Sequence, residues 1–148
     1  MNVRRFALVP ACALSLVAFG ALAAPAAAEE VKGAAILDHA CGKTSLQHMG
    51  LVHAGKMADA VKLGTPEMQK EWNALPAEQR EMMTGMMKEM SKSEADFAAD
   101  IKAFGLLAVD GKAATLTVTK KTEDASGSGT ETMTQKFAID AKGCWITR

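Results

Sequence analysis

The sequence predicts an α+β domain, and three observations predict it. Apolar residues recur at helical spacing from about residue 34 to residue 90. From about residue 104 the period changes to alternation. The turn chemistry changes with it, from helix-opening Thr65-Pro66 and Leu75-Pro76 to Asp110-Gly111 and Lys142-Gly143. Helices followed by an antiparallel meander is the α+β pattern.

Each element follows from its residues. After a short acidic lead at Glu29-Glu30, residues 34–54 are rich in helix formers and predict a helix, with a second, short one over 57–63. Gly33, Gly42, Gly50 and Gly55 argue against one unbroken helix. At Gly64-Thr65-Pro66-Glu67 the helix restarts: Thr65 can cap, Pro66 suits the first helical position, and Glu67 complements the dipole. That predicts a short helix over 66–72. Pro76 opens the next helix, over 76–90. Its apolar residues Met82, Met83, Met86, Met87 and Met90 fall within an arc of about 140° at helical spacing. Residues 91–94 form a polar joint.

The remaining elements are strands. They are expected over 104–109, 113–121, 130–139 and 144–147, about four in all. Asp110-Gly111 joins the first two as a hairpin. In the second strand Ala114, Leu116 and Val118 share one face and Thr115, Thr117 and Thr119 the other. In the third, Met133, Phe137 and Ile139 are expected inward. Residues 123–129, rich in Gly and Ser, read as a flexible loop.

Composition bounds location and class. Arg4-Arg5, an apolar run over 6–23 and small residues up to Ala28 have the three parts of a secretory signal. The expected organisation is a signal peptide over 1–28, cleaved after Ala28, and one domain over 29–148. The location is then exported, most simply a bacterial periplasm, with no membrane span left after cleavage. Lys+Arg and Asp+Glu are both 17 in the 148 residues; losing residues 1–28 removes two arginines and no acid, leaving a net charge of −2. That balance argues against a nucleic-acid partner. Cys12 travels with the signal. Cys41 and Cys144 remain, and an even pair in an exported chain predicts one disulfide.

Four stretches carry a resemblance. They are Leu51-Val52-His53-Ala54-Gly55-Lys56-Met57; Leu75-Pro76-Ala77-Glu78-Gln79-Arg80 through Met90; Val109-Asp110-Gly111-Lys112-Ala113-Ala114-Thr115-Leu116-Thr117-Val118; and Phe137-Ala138-Ile139-Asp140 through Gly143-Cys144-Trp145-Ile146. In this order they resemble the small exported members of the nuclear transport factor 2-like superfamily, over residues 45–148. The resemblance implies N-terminal helices packed across a strongly curved antiparallel sheet that leaves a cone-shaped cavity. It implies a fold and not an activity, because this fold hosts enzymes, binders and assembly modules. Cys144 stands where many relatives carry an ordinary residue.

Three functional classes compete. For an enzyme of this fold, Asp38, His39, His48, His53 and Asp59 are the acid–base candidates. Asp38 and His39 are sequence neighbours, which point about 100° apart on a helix and make no dyad by themselves. The chain has no Tyr, and no nucleophile elbow, phosphate loop or zinc-protease motif. No catalytic set is therefore assigned, and no cofactor is expected. A Cu(I)-handling protein is the alternative. His48, Met49, His53 and Met57 combine imidazole and thioether ligands at i,i+4 spacings, and Met82, Met86 and Met90 form a second row. Methionine also fills irregular gaps between helix and sheet, which would make that second row core. The favoured class is a non-enzymatic binding module for a small apolar ligand or an envelope protein. Met82, Met86, Met90, Trp72 and Trp145 are its candidate pocket residues.

Overall fold

A computed structural model describes residues 28–124 and 127–148. The expected signal segment falls outside these residues, except Ala28. Strands β1 (Glu29–Lys32), β2 (Gly105–Asp110), β3 (Ala113–Asp124), β4 (Gly127–Asp140) and β5 (Gly143–Thr147) pair in that order as one antiparallel sheet. The helices are α1 (Ala35–Asp38), α2 (Ala40–His53), α3 (Met57–Ala60), α4 (Pro66–Ala74), α5 (Ala77–Met90) and α6 (Glu94–Phe104), with a 3₁₀ turn at Val61–Leu63. The fold is α+β, with helices packed against the sheet. None of the described helices is long and apolar enough to cross a membrane.

The alternating strands behave as their period dictates. Ala114, Leu116 and Val118 are buried, and so are Phe137 opposite Ala114 and Ile146 opposite Phe137. Gly111 takes φ +56° at the head of the β2–β3 turn, a conformation that suits glycine. At the β4–β5 turn the Asp140 carboxylate accepts from the backbone N–H groups of Lys142 (2.8 Å) and Gly143 (3.1 Å).

Three expectations change. The sheet has five strands, because the acidic lead pairs as β1 along β2, with Val31 opposite Leu107. The hairpin β3–β4 runs much further than expected. The supposed loop over 123–129 is strand wherever it is described, with Asp124 opposite Gly127. A sixth helix, α6, occupies the stretch after the polar joint. Ser93 caps it by accepting from the Asp96 N–H at 3.2 Å, and it buries Phe97 and Ile101 one turn apart.

The expected helix over 34–54 is two helices. The chain is extended at His39, whose Nδ1 accepts from the Cys41 N–H and caps α2. Gly42 and Gly50 do not break α2. A Cβ on Gly42 would collide with the Ile36 carbonyl, so glycine there permits α1 to pack tightly on α2. Gly55, at φ +71°, is where the helix ends.

The core lies between α1, α2 and α6 on one side and the sheet on the other. Ile36, Phe97, Ile101, Leu107 and Leu116 are each at most 1% exposed. Each such side chain contributes about 1.5–3 kcal/mol on burial. Cys41 and Cys144 form a disulfide with Cα atoms 5.0 Å apart, tying the start of α2 to β5. Closing a loop of about 100 residues is worth ~4 kcal/mol in the chain-entropy model. Hydrogen bonds brace the same contact: Thr44 Oγ1 donates to the Cys144 carbonyl, and Ser45 Oγ to Gln135.

Candidate functional site

Hollows remain around the filled sheet face at the far end of the core, among α3, α4 and α5, beside Trp145 and beside His53. One is a small cavity of about 140 Å³ at the far end of the core, lined by Met49, Met90, Phe97, Val118 and Met133. Its volume matches a cavity that holds a single ring, not a drug-sized ligand. Charged groups also line it. Asp100, only 13% exposed, binds Lys92 at 2.8 Å and Lys120 at 3.6 Å, and Lys92 also reaches Glu131 at 3.5 Å. The Lys92 ammonium beside Asp100 holds its carboxyl below the usual carboxylate range, and the carboxylate in turn raises Lys92.

A second lies among α3, α4 and α5. An open groove of about 580 Å³ is lined by Lys56, Met57, Trp72, Ala77, Arg80 and Glu81, among others. An adjoining hollow of about 220 Å³ shares Met57 and Trp72 with it and adds Val61, Met68, Leu75 and Met83, together with the ion-paired Glu71 and Arg148. The larger volume falls in the range of small-molecule sites. Local sequence builds this space. Pro66 and Pro76 each open a helix, so α4 and α5 meet at a short bend around Leu75 that leaves a gap. On α5, Ala77, Thr84 and Gly85 give the gap a small-residue wall. Trp72, 8% exposed, is the large apolar group shared by both cavities.

The predicted pocket residues do not gather at one place. Trp72 lines the pair of cavities, and Met90 lines the small one at the sheet. Trp145 lines a separate hollow of about 290 Å³ with Thr65, Pro66, Gln69 and Asp140. Its indole N–H lies toward Asp140 without strict hydrogen-bond geometry. That contact and the Lys142 and Gly143 amides hold the Asp140 carboxyl below its usual range. Met82, Met86 and Met90 are 68%, 52% and 76% exposed, so this row is not core. The half-buried residues of α5 are Arg80, Met83, Thr84 and Met87, a stripe at 3–4 residue spacing. The helix is rotated so that only one edge of its methionine arc faces the protein.

The His–Met cluster also separates. Met49 and His53 share α2, but α2 ends at His53 and α3 begins at Met57, so the i,i+4 relation of His53 to Met57 is lost. Met49 lines the small cavity at the sheet, Met57 the pair among the helices, and His53 a shallow hollow with Gln47 and Glu94. His53 Nδ1 lies 3.3 Å from the Ser91 carbonyl. His48 follows the buried stripe of Cys41 and Ser45, and its Nδ1 is buried without a hydrogen-bond partner. Burial pushes its imidazole below the usual histidine range.

The acid–base candidates stay apart as well. Asp59 is exposed and bound to Lys62 at 2.7 Å, which lowers its carboxyl. Asp38 is exposed, and no candidate carboxylate bonds a candidate histidine among the described residues. His39 lies within 4.8 Å of both cysteine sulfurs, but bonded sulfurs offer no thiolate, so the group caps and braces.

Residue-level reading of the sequence missed Arg80 and Lys56. Arg80 carries the signal in the structure, because its Nε is buried with no partner. Comparison of the chain with protein families, curated proteins and solved structures finds no match.

Proposed function

We propose that this protein is an exported, non-enzymatic binding module of nuclear transport factor 2-like form, and that it binds a small ligand with an apolar body among α3, α4 and α5. The basic, apolar and small-residue segments of the N-terminus support export, as does the Cys41–Cys144 pair. The resemblance of residues 45–148 to that superfamily supports the form. One observation carries the binding reading. The two adjoining hollows that share Met57 and Trp72 give a ligand-sized space with an apolar wall beside the core. Among the described residues Glu81 is the one acid on the groove wall, beside Arg80 and Lys56.

Nile red, a neutral solvatochromic dye, tests the location. Ala58 and Ala77 are exposed residues on the cavity wall. The protein should take up one dye with a blue shift, and Ala58→Trp or Ala77→Trp should fill the cavity and remove that uptake. Uptake unchanged in both variants would place the site elsewhere.

One observation favours a second reading, soft-metal binding. Met82, Met86 and Met90 present three thioethers to solvent on successive turns of α5, where Cu(I) would find them. Native mass spectra under anaerobic Cu(I) should then show metal that Met82→Leu/Met86→Leu/Met90→Leu loses. Uptake that survives the triple change, or no uptake, removes this reading.

A further inference from the structure

Arg80 is half-buried on the wall of the open groove among the helices; of its guanidinium nitrogens Nε alone is buried without an acceptor, and the side chain joins no ion pair among the described residues. Buried polar groups in folded proteins are paired, and an exception calls for a missing partner. Lys56 lines the same cavity and is likewise in no ion pair among the described residues. Glu81 is the carboxylate on the wall. Two cations and one acid leave a single positive charge beside the apolar surfaces of Met57 and Trp72.

We propose that the cavity binds a monocarboxylate with an apolar body. This rests on the cavity being the binding site. The planar guanidinium of Arg80 matches a carboxylate through two parallel N–H···O bonds, and Lys56 adds a point charge. Glu81 repels a second negative charge, so a monoanion is preferred to a phosphate monoester. The apolar body follows the surfaces that the two cavities share, from Met57 and Trp72 toward Val61 and Met68. A ligand of this kind supplies a counter-charge for the Arg80 guanidinium and lies along the edge of Trp72 that the groove leaves open.

The test uses dodecanoate, dodecanol and dodecyl phosphate below their micelle concentrations. The chain has two tryptophans, so in a Trp145→Phe background the emission reports Trp72. Dodecanoate should bind about tenfold or more tighter than dodecanol, the scale of a charge-assisted hydrogen bond. Dodecyl phosphate should bind less tightly than dodecanoate. Arg80→Met should erase the advantage of the acid while dodecanol still binds, which also shows that the variant is folded. Arg80→Lys should restore part of the advantage. Equal binding of acid and alcohol, or a gap that survives Arg80→Met, would overturn the carboxylate class and leave the cavity as a binding site. Tighter binding of the phosphate would overturn the monoanion preference. If none of the three alters Trp72 emission, the cavity itself is not the site.

Discussion

Helices α2 and α5 have fourteen residues each; α2 carries Gly42 and Gly50, and α5 carries Gly85. Gly42 and Gly85 are there for opposite reasons. A Cβ at Gly42 would meet the Ile36 backbone, while one at Gly85 would meet nothing within 4 Å. Helix α2 lies in the packed layer, buries four residues and is tied to β5 by the disulfide. Helix α5 buries none and turns three methionines to water. The molecule thus has a rigid half, built from the sheet with α1, α2 and α6, and a lightly held half around α5. Stability resides in the first. The proposed ligand space lies beside the second, as expected where few apolar contacts fix an element.

The largest effect should separate the halves directly. Phe97→Ala removes a ring that is 1% exposed and should cost about 4 kcal/mol. Met86→Ala on the exposed face of α5 should change stability by less than about 0.5 kcal/mol. Urea unfolding midpoints check both, and a comparable loss at Met86 would mean that α5 belongs to the core.

The glycines give the next effect, with opposite signs. Gly42→Ala should destabilise by about 2 kcal/mol, because the Ile36 backbone must move. Gly85→Ala should stabilise by about 0.5–1 kcal/mol through helix propensity alone. Thermal melts of the two variants read the difference in sign.

The smallest effect is electrostatic and lies at the border between the halves. Asp100 is depressed chiefly by its hydrogen bond to Lys92. A depressed carboxylate stabilises the fold above its unfolded pKa of about 3.9, and the contribution is lost as pH falls through the lower folded value. Asp100→Asn should therefore be less stable than the parent at pH 7, by under about 1 kcal/mol. That gap should close in acid below about pH 4. Urea midpoints at pH 7 and pH 3 test the sign; a gap that widens in acid would contradict it.

These contrasts also explain what was legible in the sequence. The face of β3 was legible because Ala114, Leu116 and Val118 alternate with threonines, and period alone assigns the buried side. Strand β1 was not, since Glu29-Glu30-Val31-Lys32 becomes a strand only through pairing with β2, about 75 residues away. Helix α6 had a local signal that went unused, the Ser93 cap with Phe97 and Ile101 one turn apart. The methionine arc of α5 was correct as an arc. Which edge of it faces inward depends on how α5 rests against its neighbours, and periodicity does not carry that. Arg80 could not be singled out for the same reason, because an orphaned donor exists only once α3, α4 and α5 are placed together.

The methionines report on the proposed ligand site. Met57, Met68 and Met83 line the cavities among the helices, and Met49 and Met133 line the small one at the sheet. The most direct measurement is the NMR spectrum of protein carrying ¹³C-methyl methionine, titrated with dodecanoate. The Met57, Met68 and Met83 methyls should shift together while Met49 and Met133 stay in place. Shifts confined to Met49, Met90 and Met133 would put the ligand against the sheet and overturn the groove as its site.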